Sequence, residues 1–181
     1  AIGASLLATG RFEESMIAEV ASFLSERYAF VPEKFVDVGA NIGSHLLYSQ
    51  RSGLFKTGVA FEADPVNYDL LVRNIRLAGL ENQVKAFHFP ISDRAGAVTI
   101  ERAPDNLGDH RVRVANSSSS DFYQESFRET LSLVSETLDN LDAEFQLGVG
   151  AGTLCWIDTQ GHEGHVLAGA KGLIERGTLQ Y

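Results

Sequence analysis

Apolar positions along this chain repeat with two different periods, and the changes between them mark out the elements. Residues 12 to 28 place Phe12, Met16, Ile17, Val20, Phe23 and Leu24 at helical spacing with Glu and Ser between them, which predicts an amphipathic helix packing its stripe on the domain. Pro32 breaks the chain before the first strand. Phe35 to Val38 then reads as a short buried strand. Ile42 to about Ser52 reads as a helix carrying Leu46, Leu47 and Tyr48 and stopped by Gly53. Gly58 to Phe61 is a second strand, and Pro65 suits the first turn of a helix that runs to about Ala78 and stops at Gly79. Val84 to Phe89 is a third strand. Short strands separated by helices of this length predict a doubly wound, mostly parallel α/β sheet with right-handed crossovers.

The rhythm breaks between Gly96 and Leu141. The pattern there is β-like and loop-like, with Ala97–Ile100, Arg111–Val114 and Leu131–Val134 as strands and the run Asn116–Ser120 as a polar loop. An insertion of this size between strands three and four stands over the carboxyl edge of the sheet, where it is expected to cover a substrate pocket; a plain peripheral hairpin is the other reading. Thr153 to Ile157 resumes the pattern as strand four, and Glu163 to Glu175 follows as one helix with Val166, Leu167, Ala170, Leu173 and Ile174 inward.

With 181 residues, 44% of them hydrophobic and 22% charged, the chain reads as one globular domain, with residues 1–32 as a helical lead-in. A net charge of −9 with no Lys/Arg cluster argues against nucleic-acid substrates. The lone Cys155, inside an apolar run, is expected to be an inert buried thiol. No apolar run reaches the ~18 residues of a membrane span, and the expected location is cytoplasmic. The chain opens on Ala1 and stops at Tyr181 as an apolar segment starts, so both ends read as cut, with the last strands of the sheet missing. A homo-oligomer is compatible with all of this.

The chemistry gathers at the strand tips. Strand one ends in the turn Asp37-Val-Gly-Ala-Asn-Ile-Gly43, and Glu62 closes strand two 23 residues after Gly39. A glycine turn followed by a carboxylate at the second strand's tip is the layout of a nucleoside site, in which the carboxylate accepts from the ribose hydroxyls. A dinucleotide would need glycine where Asn41 stands, so that backbone could approach its pyrophosphate. S-adenosylmethionine (SAM) has no pyrophosphate, and the reading tilts to that cofactor. A bare strand-to-helix turn without ligand is the alternative, and a dehydrogenase a further one.

In this reading Asp37 serves the ammonium of the methionine moiety, Gly39 lets the backbone pass beneath the ligand, and the helix start after Gly43 offers free amides to the carboxylate. Ser92 and Asp93, just beyond strand three, are expected at the adenine amino group, or else form an ordinary turn. The tip of strand four supplies Asp158, followed around a tight turn by His162 and Glu163. These are the candidate catalytic groups, since methyl transfer to oxygen needs a group that takes or orients a hydroxyl proton. Helix capping is the bland role for His162 and Glu163. Asp158, His162 and His165 could instead hold zinc, or Asp158 a magnesium ion, but no metal is expected to be required. Asn106 and His110 are expected to face the acceptor, and His45 to be a packed surface histidine.

Five ordered blocks resemble the FkbM family of SAM-dependent methyltransferases: Val36–Gly43, Phe61–Asn67 with Asn74 downstream, Ser92–Gly96, Thr137–Asp139, and Ile157–Glu163 leading to Val166–Ala170. The resemblance covers roughly residues 35–175 and implies a class I methyltransferase fold and O-methylation of a small-molecule, sugar or polyketide-type hydroxyl. Two departures stand out: Gln160 where the family commonly has a carboxylate, and Gly161-His-Glu where it has Gly-Ala-Glu. Both suggest a different acceptor. A non-catalytic SAM-binding module that acts as an assembly or regulatory partner is the rival function.

Overall fold

A computed structural model describes residues 14–103, 110–112 and 128–181. Four strands form one parallel sheet: β1 (Lys34–Val38), β2 (Thr57–Phe61), β3 (Val84–Phe87) and β7 (Thr153–Ile157), in the order β3-β2-β1-β7. Val38 pairs in register with both Phe61 and Ile157, so three strand tips open side by side. The chain moves outward from β1 through β2 to β3 and then returns to the other side of β1. That reversal leaves a crevice above the carboxyl ends of β1 and β7, where ligands bind in open α/β sheets.

The strands alternate their side chains between two apolar layers. Phe35 packs with α1 (Glu14–Tyr28), α2 (Ser44–Arg51) and α3 (Pro65–Leu77) through Ile17, Leu46 and Leu71. Val36, Val38 and Phe61 pack on the other face with α4 (Leu138–Phe145), α5 (Glu163–Gly169) and α6 (Lys171–Glu175) through Leu141, Val166 and Leu173. The expected stripe on α1 is narrower than its sequence suggests. Ile17 and Ala21 are buried and Val20 and Leu24 lean on the core, whereas Met16 and Phe23 are exposed and Phe12 lies outside the described residues.

The insertion contains a three-stranded antiparallel sheet, β5-β4-β6, built from β4 (Gly96–Arg102), β5 (Arg111–Val112) and β6 (Glu129–Ser135). The loop expected at Asn116–Ser120 lies outside the described residues. Two expectations change here. Residues 138–141, read as the end of the insertion, instead open α4, which runs to Phe145 and is capped by the Thr137 hydroxyl accepting from the Asn140 N–H. The single helix expected over 163–175 is two, broken at Ala170 (φ −106°, ψ 10°). The break has a physical cause in Asp139, whose carboxylate accepts from the Gly172 and Leu173 amides at 2.8 and 2.9 Å and so supplies α6 with a cap from another element. Asp139→Ala should lower stability by about 0.5–2 kcal/mol, the usual range for a lost cap, measurable as a drop in the urea midpoint with the slope unchanged.

Candidate functional site

The turn after β1 is shaped by what it must pass. Gly39 has φ +85°, and a Cβ there would run into the carbonyl oxygen of Asp158. The Gly39 and Ala40 amides donate to the Phe61 carbonyl at 2.9 and 3.0 Å, tying the turn to β2. Asn41 also takes a left-handed conformation (φ 53°), which Asn tolerates, and its Oδ1 accepts from the Ile42 N–H at 2.7 Å. Gly43 is set by packing, since a Cβ would lie 2.6 Å from Leu71 of α3.

Glu62 is the hub. Its Oε2 accepts from the Asn41 N–H at 2.7 Å and its Oε1 from the Asp64 N–H at 2.8 Å, so one carboxylate joins the two loops. The Ala63 N–H also favours this carboxylate, which with four lone-pair sites keeps acceptor capacity for a ligand. Glu62 is 7% exposed, and burial pushes its carboxyl up to about 7 despite those amide donors. Asp37 is more deeply placed, at 1% exposed, and burial, with Glu62 and Asp158 adding to it, pushes it up to about 8. Its Oδ2 has no hydrogen-bond partner among the described residues.

A cleft opens beside this turn, with about 580 Å³ of empty space that includes the solvent at its mouth. Val38, Phe61, Phe89 and Ile91 give it an apolar floor. Gly39, Asn41, Glu62, Asp158 and His162 stand around it, and Ile100, His110 and Val112 of the insertion close one side. The structure thus brings together six of the candidate site residues: Gly39, Asn41, Glu62, His110, Asp158 and His162.

Others fall elsewhere. Asp37 shares the face of Phe35, so strand alternation turns it away from the cavity, and it does not line it. Gly43 packs on Leu71 instead. Ser92 and Asp93, expected at the adenine, do not line the cavity either: Ser92 is buried with its Oγ 2.9 Å from Nε2 of His162 and 3.0 Å from Oδ1 of the exposed Asp93. Glu163 is engaged within the turn, its Oε1 accepting from the Thr159 N–H and hydroxyl and the Gly161 N–H at 3.0–3.3 Å. Burial opposes ionisation of Glu163, but these donors hold it below its usual value. Asn106 lies outside the described residues. His45 is buried rather than on the surface, packed on Trp156 with ring centroids 5.4 Å apart.

Asp158 is exposed at the mouth, its Oδ1 accepting from Gln160 Nε2 at 2.6 Å. His162 is 4% exposed and stacks on His165 with centroids 4.2 Å apart and planes 4° from parallel. Burial first, and His165 second, hold its pKa below the usual value, so the ring is neutral at pH 7. Parallel rings aim their in-plane lone pairs side by side instead of at one point. Among the described residues no group of three or more His, Cys, Asp or Glu is arranged to hold a metal ion. Burial pushes the Cys155 thiol up to about 12, which leaves it unreactive.

Two residues were passed over in the sequence. Asp64, 0% exposed, caps α3 through the Val66 and Asn67 amides, lines the cavity, and pairs with Arg102 Nε of β4 at 2.7 Å. The Asp-Pro pair before a helix signals the cap; nothing local signals an ion pair to residue 102. His110 Nε2 lies 3.7 Å from the same carboxylate, and its Nδ1 accepts from the Ala103 N–H at 3.1 Å.

The profile of the methyltransferase FkbM domain matches residues 37–179. The methyltransferase sdnD of Sordaria araneosa is 40% identical over 73 residues, which are 40% of this chain and 28% of that protein. The crystal structure of methyltransferase FkbM from Methylobacillus flagellatus KT superposes with a TM-score of 0.52 at 19% identity, over 86% of this chain and 34% of that one. The likeness to that crystal structure is one of fold. The chain therefore spans about a third or less of the length of these relatives. Among the described residues, no helix is long and apolar enough to cross a membrane.

Proposed function

Since this chain belongs to the methyltransferase FkbM family, we propose that it binds SAM in the crevice beside Gly39, Asn41 and Glu62 and transfers its methyl group to a hydroxyl oxygen of a small-molecule or glycan acceptor. One observation carries the reading most: the Glu62 carboxylate stands at the β2 tip, tied to the amide of Asn41, at the wall of a cavity at the sheet's topological switch point.

The residues present fit the cofactor. Glu62 has lone pairs left for the two ribose hydroxyls, and Phe61, Phe89 and Ile91 offer apolar surface to an adenine ring. The sulfonium and ammonium of SAM are positive, and Asp37 and Glu62, whose carboxyls burial raises, stand by the turn where a cation would favour their ionised forms. Asp37 acts in this account through its charge from beneath the turn, not by contact.

When bound, SAM supplies an electrophilic methyl group. The chain's own residues bring up and deprotonate the nucleophile. Asp158, at the tip of β7 beside β1, orients the acceptor hydroxyl, and the neutral His162 takes its proton. His110 of the insertion faces the acceptor from the other side of the cavity.

Glu62→Ala should weaken SAM binding by about 100-fold, the loss of two hydrogen bonds to a charged group at roughly 1.5 kcal/mol each. Calorimetry with the folded variant checks this, and unchanged affinity would move the site elsewhere. The acceptor class is tested by mass spectrometry of hydroxylated small molecules incubated with SAM and the chain. A gain of one methyl group on oxygen supports transfer. SAM binding without S-adenosylhomocysteine from any hydroxylated extract supports a non-catalytic module instead.

A further inference from the structure

The Ser92 hydroxyl sits between two groups and can give its proton to only one. Its Oγ lies 3.0 Å from Oδ1 of Asp93 and 2.9 Å from Nε2 of His162. An ionised carboxylate only accepts, so the Ser92 proton goes to Asp93 and its Oγ offers lone pairs to the imidazole. Asp93 is ionised at neutral pH, because the Ser92 hydroxyl, foremost among its neighbours, holds its carboxyl below the usual value. Nε2 of His162 must then carry the ring proton and donate it to Ser92. This assignment follows from the chemistry of the partners, the way a tautomer is fixed when hydrogens are not seen.

The other ring nitrogen is in the opposite condition. Nδ1 of His162 is buried and has no hydrogen-bond partner among the described residues. The residue stands at the N-cap of α5, yet its side chain makes no capping bond. The ring lines the cavity. A buried acceptor left unpaired is unfavourable, and a hydroxyl entering the cavity is the group that would relieve it.

We infer that Asp93 and Ser92 are positioning residues that fix His162 as its Nε2–H tautomer, leaving Nδ1 as the nitrogen that takes the acceptor's proton. The second half rests on the methyl-transfer reading; the first does not. As the acceptor oxygen gains the methyl carbon, its O–H bond breaks and an Nδ1–H bond forms, while the sulfur keeps the electron pair of the broken C–S bond. The positive charge brought in on sulfur leaves on the imidazolium. Its Nε2–H still points through Ser92 to the Asp93 carboxylate, which favours that charge. Glu163 on the same helix acts in the same direction and the stacked His165 against it. This arrangement takes Ser92 and Asp93 away from the adenine and gives them to the base.

Nitrogen-15 NMR of the histidine-labelled chain at pH 7.5 tests the tautomer without turnover. His162 should show an unprotonated Nδ1 and a protonated Nε2. In Asp93→Asn the amide can donate to Ser92 and turn its hydroxyl toward the ring, so the Nδ1–H form should rise to a comparable population; Ser92→Ala should also lose the preference, and Asp93→Glu should restore it. Asp93 is exposed, so Asp93→Asn decides the matter even if Ser92→Ala fails to fold. A protonated Nδ1 in the unaltered chain, or an unmoved tautomer in Asp93→Asn, overturns the inference. With an acceptor in hand, Asp93→Asn should lower kcat by about 10- to 100-fold at unchanged KM for SAM, less than the ~10⁴ lost when a carboxylate bonded directly to a catalytic histidine is neutralised. Full kcat in a variant whose tautomer has moved overturns the role of Nδ1. The expected tautomer in a chain that transfers no methyl group supports the orienting pair and removes the methyl-transfer reading.

Discussion

Asp37→Asn is expected to make the ligand-free chain more stable at pH 8, by about 2–4 kcal/mol, and to remove most of the fall in its stability between pH 4 and 8. The native carboxyl is fully buried, and burial pushes it from an ordinary 3.8 up to about 8. Between those two values the folded chain holds a proton that the unfolded chain has released. The folded state binds more protons, so stability falls as pH rises across that window and levels off above about 8. The displacement corresponds to a ceiling on the order of 5 kcal/mol. From this an unpaired buried amide N–H₂ subtracts about 1–3 kcal/mol, because the oxygen it replaces has no partner among the described residues. Glu62 adds to the same decline between about 4.5 and 7. Near pH 4 both chains are neutral at position 37, and only that amide cost separates them, with the variant the less stable. Urea unfolding at pH 4.5 and pH 8 measures the difference, and parallel curves would show that Asp37 is not buried as a strained acid. The variant should bind SAM less tightly, since the charge favouring a cation is gone: stability at this position is set against function.

His162→Ala should lower turnover by about 10²- to 10⁴-fold, the usual contribution of a positioned general base, with SAM affinity nearly unchanged. Its lowered pKa keeps the ring neutral down to mildly acidic pH, so activity should fall only as the pH drops below the ordinary histidine value. Full activity in the variant would remove the base from the account. Activity should survive EDTA; activity lost in EDTA and restored by Mg²⁺ would replace the histidine with a metal-assisted route.

The part of this fold that repeats locally is the part the sequence shows. The turn from Asp37 to Gly43 and the tips at Glu62 and Asp158 follow from apolar runs ending in acidic residues, and parallel strands then have no choice but to open them on one edge. Helix α4 escaped because only Leu138 and Leu141 are buried in its eight residues, too few to show a period. The break at Ala170 comes from Asp139, more than 30 residues away, and no local pattern carries it. Asp37 illustrates a different failure. Its neighbours already alternate between two apolar layers, so its direction was legible, but its place at a strand tip outweighed its parity. Ser92 and Asp93 were placed by analogy with the order of the strands, whereas their partner, His162, arrives from a turn 70 residues on. The pairing of Asp64 with Arg102 is likewise a product of where the insertion folds back.

Titration calorimetry of the chain with SAM, S-adenosylhomocysteine and NAD is the most direct test of the claim that this crevice holds a methyl donor. Asn41 stands where a pyrophosphate would need glycine, and buried carboxyls beneath the turn favour a cation. SAM and S-adenosylhomocysteine should therefore bind at one site per chain and NAD at least about 100-fold more weakly, a difference of roughly 2.7 kcal/mol. SAM binding should also release protons and tighten as pH rises from 6 to 8. NAD binding more tightly than SAM, or SAM producing no binding heat at any pH in that range, would contradict the account.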